Sequence, residues 1–560
     1  MNPAYPVRNP WHHLGLVCAM LSFILAVAAC APATQGTPTP ALTTPAASAG
    51  TSPTPQPTPE QPRYGGTLTI STVSDPEHFD VQQGSGINVV MPLAPAYNSL
   101  LYYDSKTGSK IVPGLAESWD VAKDGLTYTF KLRKGIKFHD GTLLSADDVA
   151  FNLERMKSPP KGVVSQVGPY MVTVDKVQTV GDDTVTVTMK NPFAPFLAAL
   201  VLDRAPMFSQ KAVLVTGDMK TTVMGTGPFK FKAYTPGVSF ELVKNPDYWV
   251  TGRPYLDGIR FAIIKDPATR LAALRTSQTQ QSGRVFGALT PAEVATLKSD
   301  VPDMRFVPSP SVVGPWFFMN MRNPPFKDAR VRQAINLALD RQAAIKVVAQ
   351  GAGSLGTYFP NEGWGSSTEE LLKLPGFRQP HDQDLAAAKK LLTDAGYPNG
   401  FSLKILSRNN EVTKAGAVFM TDQLSAIGIT ASVQVMEDGA FFDSGRKALH
   451  EAMVFTPATV IADPYDLGRF FAPNNPFNFS GNDNDAKLSD LWGKQVRTID
   501  EAARKQIILD VERYLLNEQV PAVPIVWPTT YIAISSREHG FVPGITDYSN
   551  NRQQDTWLSP

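Results

Sequence analysis

Three short stretches carry residue types that could do chemistry. Gly351 to Gly356 reads GAGSLG and has the glycine spacing of a phosphate-cradling loop. Such a loop must follow a strand and open a helix, so that backbone N–H groups point at the phosphate. The periodic residues before Gly351 are helical instead, so the run reads as a helix C-cap and loop. His139 and Asp140, in FHDG, pair an imidazole with a carboxylate, a combination that could move a proton or help hold a metal. No second histidine is nearby, two of the seven histidines (His12 and His13) lie in the leader, and neither HExxH nor a Cys/His ligand spacing occurs. Asp147 and Asp148 are adjacent acids, but they open a helix, where negative charge is favourable. No catalytic residue, metal ion or cofactor is therefore expected.

The elements that must position any site follow from periodicity. Leu68 and Ile70 alternate with Thr67 and Thr69 in GGTLTI, as in a half-buried strand. Tyr128, Phe130 and Leu132 share one face of a second strand, and Val185, Val187 and Met189 one face of a third. Between these, Ser145 and Asp148 have the spacing of a capping box, followed by Val149, Leu153 and Met156 on one helical face. The second half is richer in helices. Asp328 caps a predicted helix carrying Val331, Ala334, Ile335, Ala338 and Ile345 and ending near Gly351, and a further helix spans about Asp384 to Ala395. Strands at Phe401–Leu406 and Ala431–Val435 flank a helix around Ala417–Ile427, a βαβ-like order. A last long helix, Glu501 to Gln519, buries Ile507, Val511 and Leu515, and the apolar strand VPAVPIVW follows it.

Composition bounds the class. Of 560 residues, 43% are hydrophobic and 18% charged, ordinary values for a globular protein. The formal net charge of +1 and the lack of a Lys/Arg cluster argue against a nucleic-acid partner. Residues 1–29 have the order of a secretory signal: a short polar lead with Arg8, then an apolar stretch of about 16 residues, below the roughly 20 needed to span a bilayer. Val27-Ala28-Ala29-Cys30 resembles the lipobox of bacterial lipoproteins, which implies that Cys30 is lipidated. Residues 30–62 are dominated by Pro, Thr, Ala, Ser and Gln, and such a segment cannot bury enough surface to offset the entropy of ordering. They are expected to form a tether holding the body at the outer face of the cytoplasmic membrane. Cys18 and Cys30 are the only cysteines, so disulfides do not hold the exported body together.

Five blocks carry a family resemblance: PGLAESWDVAKDGLTYTFKLRKGIKFHDGTLLSADDVAFNLER, GTGPFKFKAY, NPDYW, NPPFKDARVRQAINLALDR and AKKLLTDAGYPNGF. In this order they are similar to extracellular solute-binding protein family 5, the dipeptide, oligopeptide and nickel-binding proteins of ABC importers. The resemblance implies an α/β, two-lobed, hinged fold of the periplasmic-binding-protein kind (type II) with an extra inserted domain. Domain I of lobe 1 would comprise residues 63–100, 215–307 and 526–560, the inserted domain II residues 101–214, and domain III, lobe 2, residues 308–525. It also implies a monomeric, non-enzymatic carrier that closes on a small solute, most simply a short peptide, and delivers it to ABC permease subunits. An oligosaccharide, an opine or a chelated metal is the alternative cargo, and a surface hydrolase or sensor the alternative class.

The family also suggests where solute contacts fall. In IADPYDLGRFF, Asp463 corresponds to the aspartate that receives a peptide's α-ammonium group, with Tyr465 beside it; the turn-forming role of Asp-Pro is the competing reading. In VGPWFFMN, just beyond the hinge, Trp316 and Phe318 share one strand face and would line the cleft, unless they pack in the core. Trp364 lies in a Gly/Pro loop with little core to join, and Arg408, at a strand end, is the candidate cation for a solute carboxylate, although it does not align with the family's carboxylate-binding arginine and a solvated strand-end charge is the competing reading. Residues 277–287, SQTQQSGRVFG, replace a shorter acidic stretch of the family and have no assigned role.

Overall fold

Thr67–Thr72, the strand that opens the body, pairs in parallel with Gly258–Ile263, and the sheet continues antiparallel through Ser239–Lys244 to Phe229–Thr235. Leu68 and Ile70 turn inward against Ile259, Phe261 and Phe240, as their alternation requires. The computed structural model describes residues 61–560 except 85, 105–109, 285–286, 311–312, 361–362, 458, 474 and 476. Cys30, the leader and nearly all of the tether lie outside the described residues. A second, antiparallel sheet has the order Ala116–Val121, Thr127–Leu132, Thr184–Met189, Val174–Thr179. Its inner face carries Tyr128, Phe130, Leu132, Val185, Val187 and Met189, and the helix Ala146–Lys157 packs Val149, Leu153 and Met156 into the same core. That helix starts where the capping box closes: Ser145 Oγ accepts from Asp148 N (3.2 Å), while Asp148 accepts from Ser145 N (3.0 Å).

The second lobe is built on a five-stranded sheet. Thr430–Met436, Ser402–Arg408 and Ala452–Phe455 run parallel, and Trp316–Met319 and then Ala522–Pro524 follow antiparallel. Helices Ala329–Ala338, Asp382–Asp394 and Glu411–Ser425 contribute to the core on one face of this sheet. The helix predicted from Asp328 toward Gly351 is two helices, because Asp340 accepts from Gln342 N and Ala343 N and so caps a new one, Arg341–Val347. The last long helix is α-helical over Glu501–Tyr514 and continues as a π turn over Leu515–Gln519. Its buried face runs through Arg504, Ile508, Val511 and Leu515, one position on from the predicted Ile507.

One strand serves both lobes. Val526–Ile534 pairs at Val526–Pro528 with Leu355–Gly353 of the second lobe, and at Thr529–Ile534 with Pro310–Arg305, the strand that crosses the expected lobe boundary at 307/308. The glycine run at 351–356 is consumed in this junction. A Cβ on Gly356 would stand 2.3 Å from Pro524 O, so close backbone packing, not a phosphate, requires the glycine. Residues 277–287 acquire a role here too. Gln280 N donates to Thr69 O (2.9 Å), Ser535 N to Gln280 O (2.7 Å) and Ser282 N to Ala533 O (2.9 Å), stitching the first strand to the shared one. Within the same segment, buried Arg284 donates to the carbonyls of Ser549, Gly544 and Thr546 and to Asn551 Oδ1, and so organises the C-terminal loop.

Candidate functional site

The loop expected to meet solute lies between the lobes. Ile461 is fully buried in the core that also holds Tyr128, Phe130, Val185 and Val187, and Val460, Ala462 and Tyr465 pack against it. The Tyr465 ring meets Phe193 edge-on (5.1 Å, 84°) and Tyr170 (6.0 Å, 64°), both from the first lobe. Tyr170 OH donates to Asp466 Oδ1 (2.9 Å), and Ala194 N donates to Val496 O (2.9 Å). Burial, with the charge of Asp466 next, holds the Tyr170 phenol well above its ordinary pKa, so it remains a donor. The seam is thus closed along this edge by aromatic contacts and two polar ones.

Asp463 caps the short helix Pro464–Gly468, its Oδ1 accepting from Tyr465 N (2.9 Å). Its charge is met by Arg504, whose Nη1 and Nη2 donate to Oδ2 (2.6 Å) and Oδ1 (2.7 Å). Both side chains are about 95% buried. Gln495 fixes the guanidinium from the other side, through Oε1 to Nε (3.0 Å) and Nη2 (2.9 Å). The Trp364 ring lies 5.0 Å from the Arg504 carbon. Asp463 and Trp364 therefore both meet Arg504, a cation that sequence reasoning missed, whereas Tyr465 meets Asp463 only through its backbone N–H. Its signal was present: Arg504 is a charge on the buried helix face shared with Ile508, Val511 and Leu515, a face that also holds Glu512.

Two expectations are corrected. Trp316 and Phe318 have no exposed surface and belong to the core of the second lobe. Trp316 meets Tyr358 (5.2 Å) and Trp527 (6.0 Å) edge-on, and Phe318 meets Phe479 (6.1 Å), because their strand is covered as well as flanked on both sides. Arg408 is not held ready for a carboxylate. Its Nε and Nη2 fork onto Asp438 (2.8 and 2.6 Å), and its guanidinium lies 5.4 Å from the Phe442 ring. Two cavities, of about 40 Å³ beside Arg552 and about 260 Å³ beside Lys404 and His450, are not lined by Asp463, Trp364 or Tyr465. His139 is structural: Nε2 lies 3.2 Å from Gly227 O, and burial lowers its pKa to about 4. Among the described residues there is no group of three or more metal-ligating side chains, and no helix long and apolar enough to cross a membrane.

Two α/β lobes sharing a strand, with charged side chains buried where they meet, form the architecture of a solute-binding protein. The chain belongs to the bacterial extracellular solute-binding proteins of family 5, whose model matches residues 110–478. It is 31% identical to the glutathione-binding protein GsiB of Shigella flexneri serotype 5b, over 80% of this chain and 86% of that one. It is 28% identical to the dipeptide-binding protein of Escherichia coli K12, over 85% of this chain and 92% of that one. Among solved structures, the ABC transporter-associated periplasmic binding protein DppA of Helicobacter pylori, in complex with peptide STSA, superposes with a TM-score of 0.71. That likeness covers 89% of this chain and 99% of that one at 29% identity.

Proposed function

We propose that this protein captures a short peptide between its lobes and delivers it to the permease of an ABC importer, without catalysis. The division into domains I (63–100, 215–307, 526–560), II (101–214) and III (308–525) is part of this reading, with the shared strand Val526–Ile534 as hinge. One observation carries it: the aspartate that the family resemblance assigns to a peptide's amino terminus, Asp463, is buried at the junction of the lobes. A solute touching both lobes there stabilises the closed form by its differential affinity for it. Asp463 uses three of the roughly four lone-pair positions of a carboxylate, which leaves one acceptor direction for a solute N–H. Tyr465 and Trp364 supply the neighbouring aromatic surface.

The body acts as a monomer on a lipidated tether. Cys30→Ala is expected to release it from membrane to medium or periplasm, as fractionation would read. The cargo is tested by mass spectrometry of co-purifying small molecules, followed by thermal-shift titration with a dipeptide and tripeptide panel. A true solute at 100 times its Kd stabilises the fold by about 2.7 kcal/mol. If no peptide shifts the transition while another solute class does, the peptide reading is wrong.

A further inference from the structure

We propose that the cavity of about 260 Å³ beside the five-stranded sheet binds a free α-amino acid with an aliphatic or thioether side chain, at a site separate from the seam and independent of the peptide reading. All its lining residues fall between Lys404 and Glu451, so the second lobe alone builds it. Leu406 and Met436, from adjacent parallel strands, supply an apolar floor on the sheet face that also carries Met453 and Phe455. The mouth is open to solvent: Lys404, Gln434 and Glu451 are exposed, and Leu449 is 73% exposed. The volume lies just under the roughly 300–1,000 Å³ of pockets for drug-sized ligands, which suits a single amino acid.

The walls are held in place by the protein itself. Helix Asp438–Arg446 ends with Gly445 against the Phe479 ring, where a Cβ would stand 2.8 Å from the nearest ring carbon, and Ala448 (φ 53°) turns the chain back toward the sheet. Buried Asn320 Nδ2 donates to Ala448 O (3.1 Å) and His450 O (2.9 Å), and His450 Nε2 lies 3.0 Å from Phe479 O. Leu449 is thereby kept at the mouth on a pinned loop. Lys404 N donates to Glu451 Oε2 (2.7 Å), which fixes the carboxylate over the strand and leaves Oε1 without a protein donor among the described residues. The Lys404 ammonium and the Gln434 amide have no protein partner among the described residues either. A cation and an anion thus line one cavity without pairing, above an apolar floor. That arrangement is complementary to the carboxylate, ammonium and side chain of a zwitterionic amino acid. Walls ordered in advance keep the cost of binding low.

The test uses the full mature protein, with L-leucine as probe and two analogues that each lack one charge: isocaproate without the ammonium and isoamylamine without the carboxylate. Calorimetry gives the affinities, and the methyl resonance of Met436, assigned by its loss in Met436→Leu, gives the place. Leucine is expected to move that resonance and to bind tenfold or more tighter than either analogue. Glu451→Gln keeps an acceptor for Lys404 N and should bind leucine and isocaproate alike, while Lys404→Gln should bind leucine and isoamylamine alike. General damage to the lobe would weaken all three probes together and leave their ratios in place, a result that overturns the proposal. A Met436 resonance that stays still up to the solubility limit of leucine overturns it too. Saturation with a seam-binding peptide of the panel should leave leucine affinity within twofold, since one lobe holds the cavity; displacement would put leucine in the seam and refute the separate site. Each variant tests a different charge, so either one decides if the other fails to fold.

Discussion

Tyr170→Phe is the cleanest probe of closure, because it deletes one oxygen and keeps a ring. The hydroxyl bridges the lobes to Asp466 at 2.9 Å, and Phe retains the packing against Tyr465. Hydrogen bonds to charged groups contribute about 1.5 to 3 kcal/mol. Asp466 keeps Val460 N and Arg469, so it is not stranded, and the low end of that range, about 1.5 kcal/mol, applies. The contact joins the two lobes, so the loss falls on the closed form and lowers the closed-to-open ratio roughly tenfold. Apparent solute affinity falls by up to the same factor, because only the closed form holds both lobes on the solute. Small-angle scattering of the solute-free protein should show a larger radius of gyration for Tyr170→Phe, with calorimetry giving the weaker Kd. Scattering and affinity both unchanged within twofold would refute the claim that this bond helps hold the lobes together.

Three other perturbations have defined outcomes. Arg284→Met removes the donor to three carbonyls and Asn551, and leaves Asp547 without the guanidinium 3.6 Å away, so it should cost about 3 to 5 kcal/mol. Amide exchange of residues 544–551 should accelerate more than that of the five-stranded sheet. Burial keeps His139 neutral in the fold to about pH 4, whereas unfolded chain takes up the proton near pH 6.5, so the unfolded state binds more protons between these values. Stability from this group is whole above pH 6.5 and declines as pH falls toward 4; His139→Gln should flatten that limb of a denaturation series. Glu512 accepts from Ser366 N (2.8 Å) two residues beyond Trp364, and burial raises its pKa. Glu512→Gln keeps the acceptor and should lie within about 0.5 kcal/mol of wild type, whereas Glu512→Ala strands the N–H at about 1 to 3 kcal/mol, as chemical denaturation would read.

What the sequence made legible follows the range of the interactions. Period-two strands, the Ser145–Asp148 cap and the apolar helix faces are local, and they appear where alternation and capping put them. The break at Asp340 was hidden because an aspartate inside an apolar-periodic run looks like a solvated position until its side chain is seen capping two N–H groups. The site was legible as residue types but not as partners. Arg408 and Asp463 read as complementary poles for a zwitterion, yet each has an opposite charge of its own lobe, Asp438 at 30 residues and Arg504 at 41 residues of separation. Spacing cannot rank such pairs, since a strand-end arginine is equally free in sequence to meet solvent, solute or another loop. The aromatic wall failed for a related reason: alternation puts Trp316 and Phe318 on one face, but what covers that face comes from residues near 358, 470, 479 and 527. The helix Glu501–Tyr514 then explains why these distant pieces act together. It carries Arg504 and Glu512 two turns apart, one tied to the Asp463 loop and the other to the Trp364 loop, so any displacement of this helix moves both loops at once.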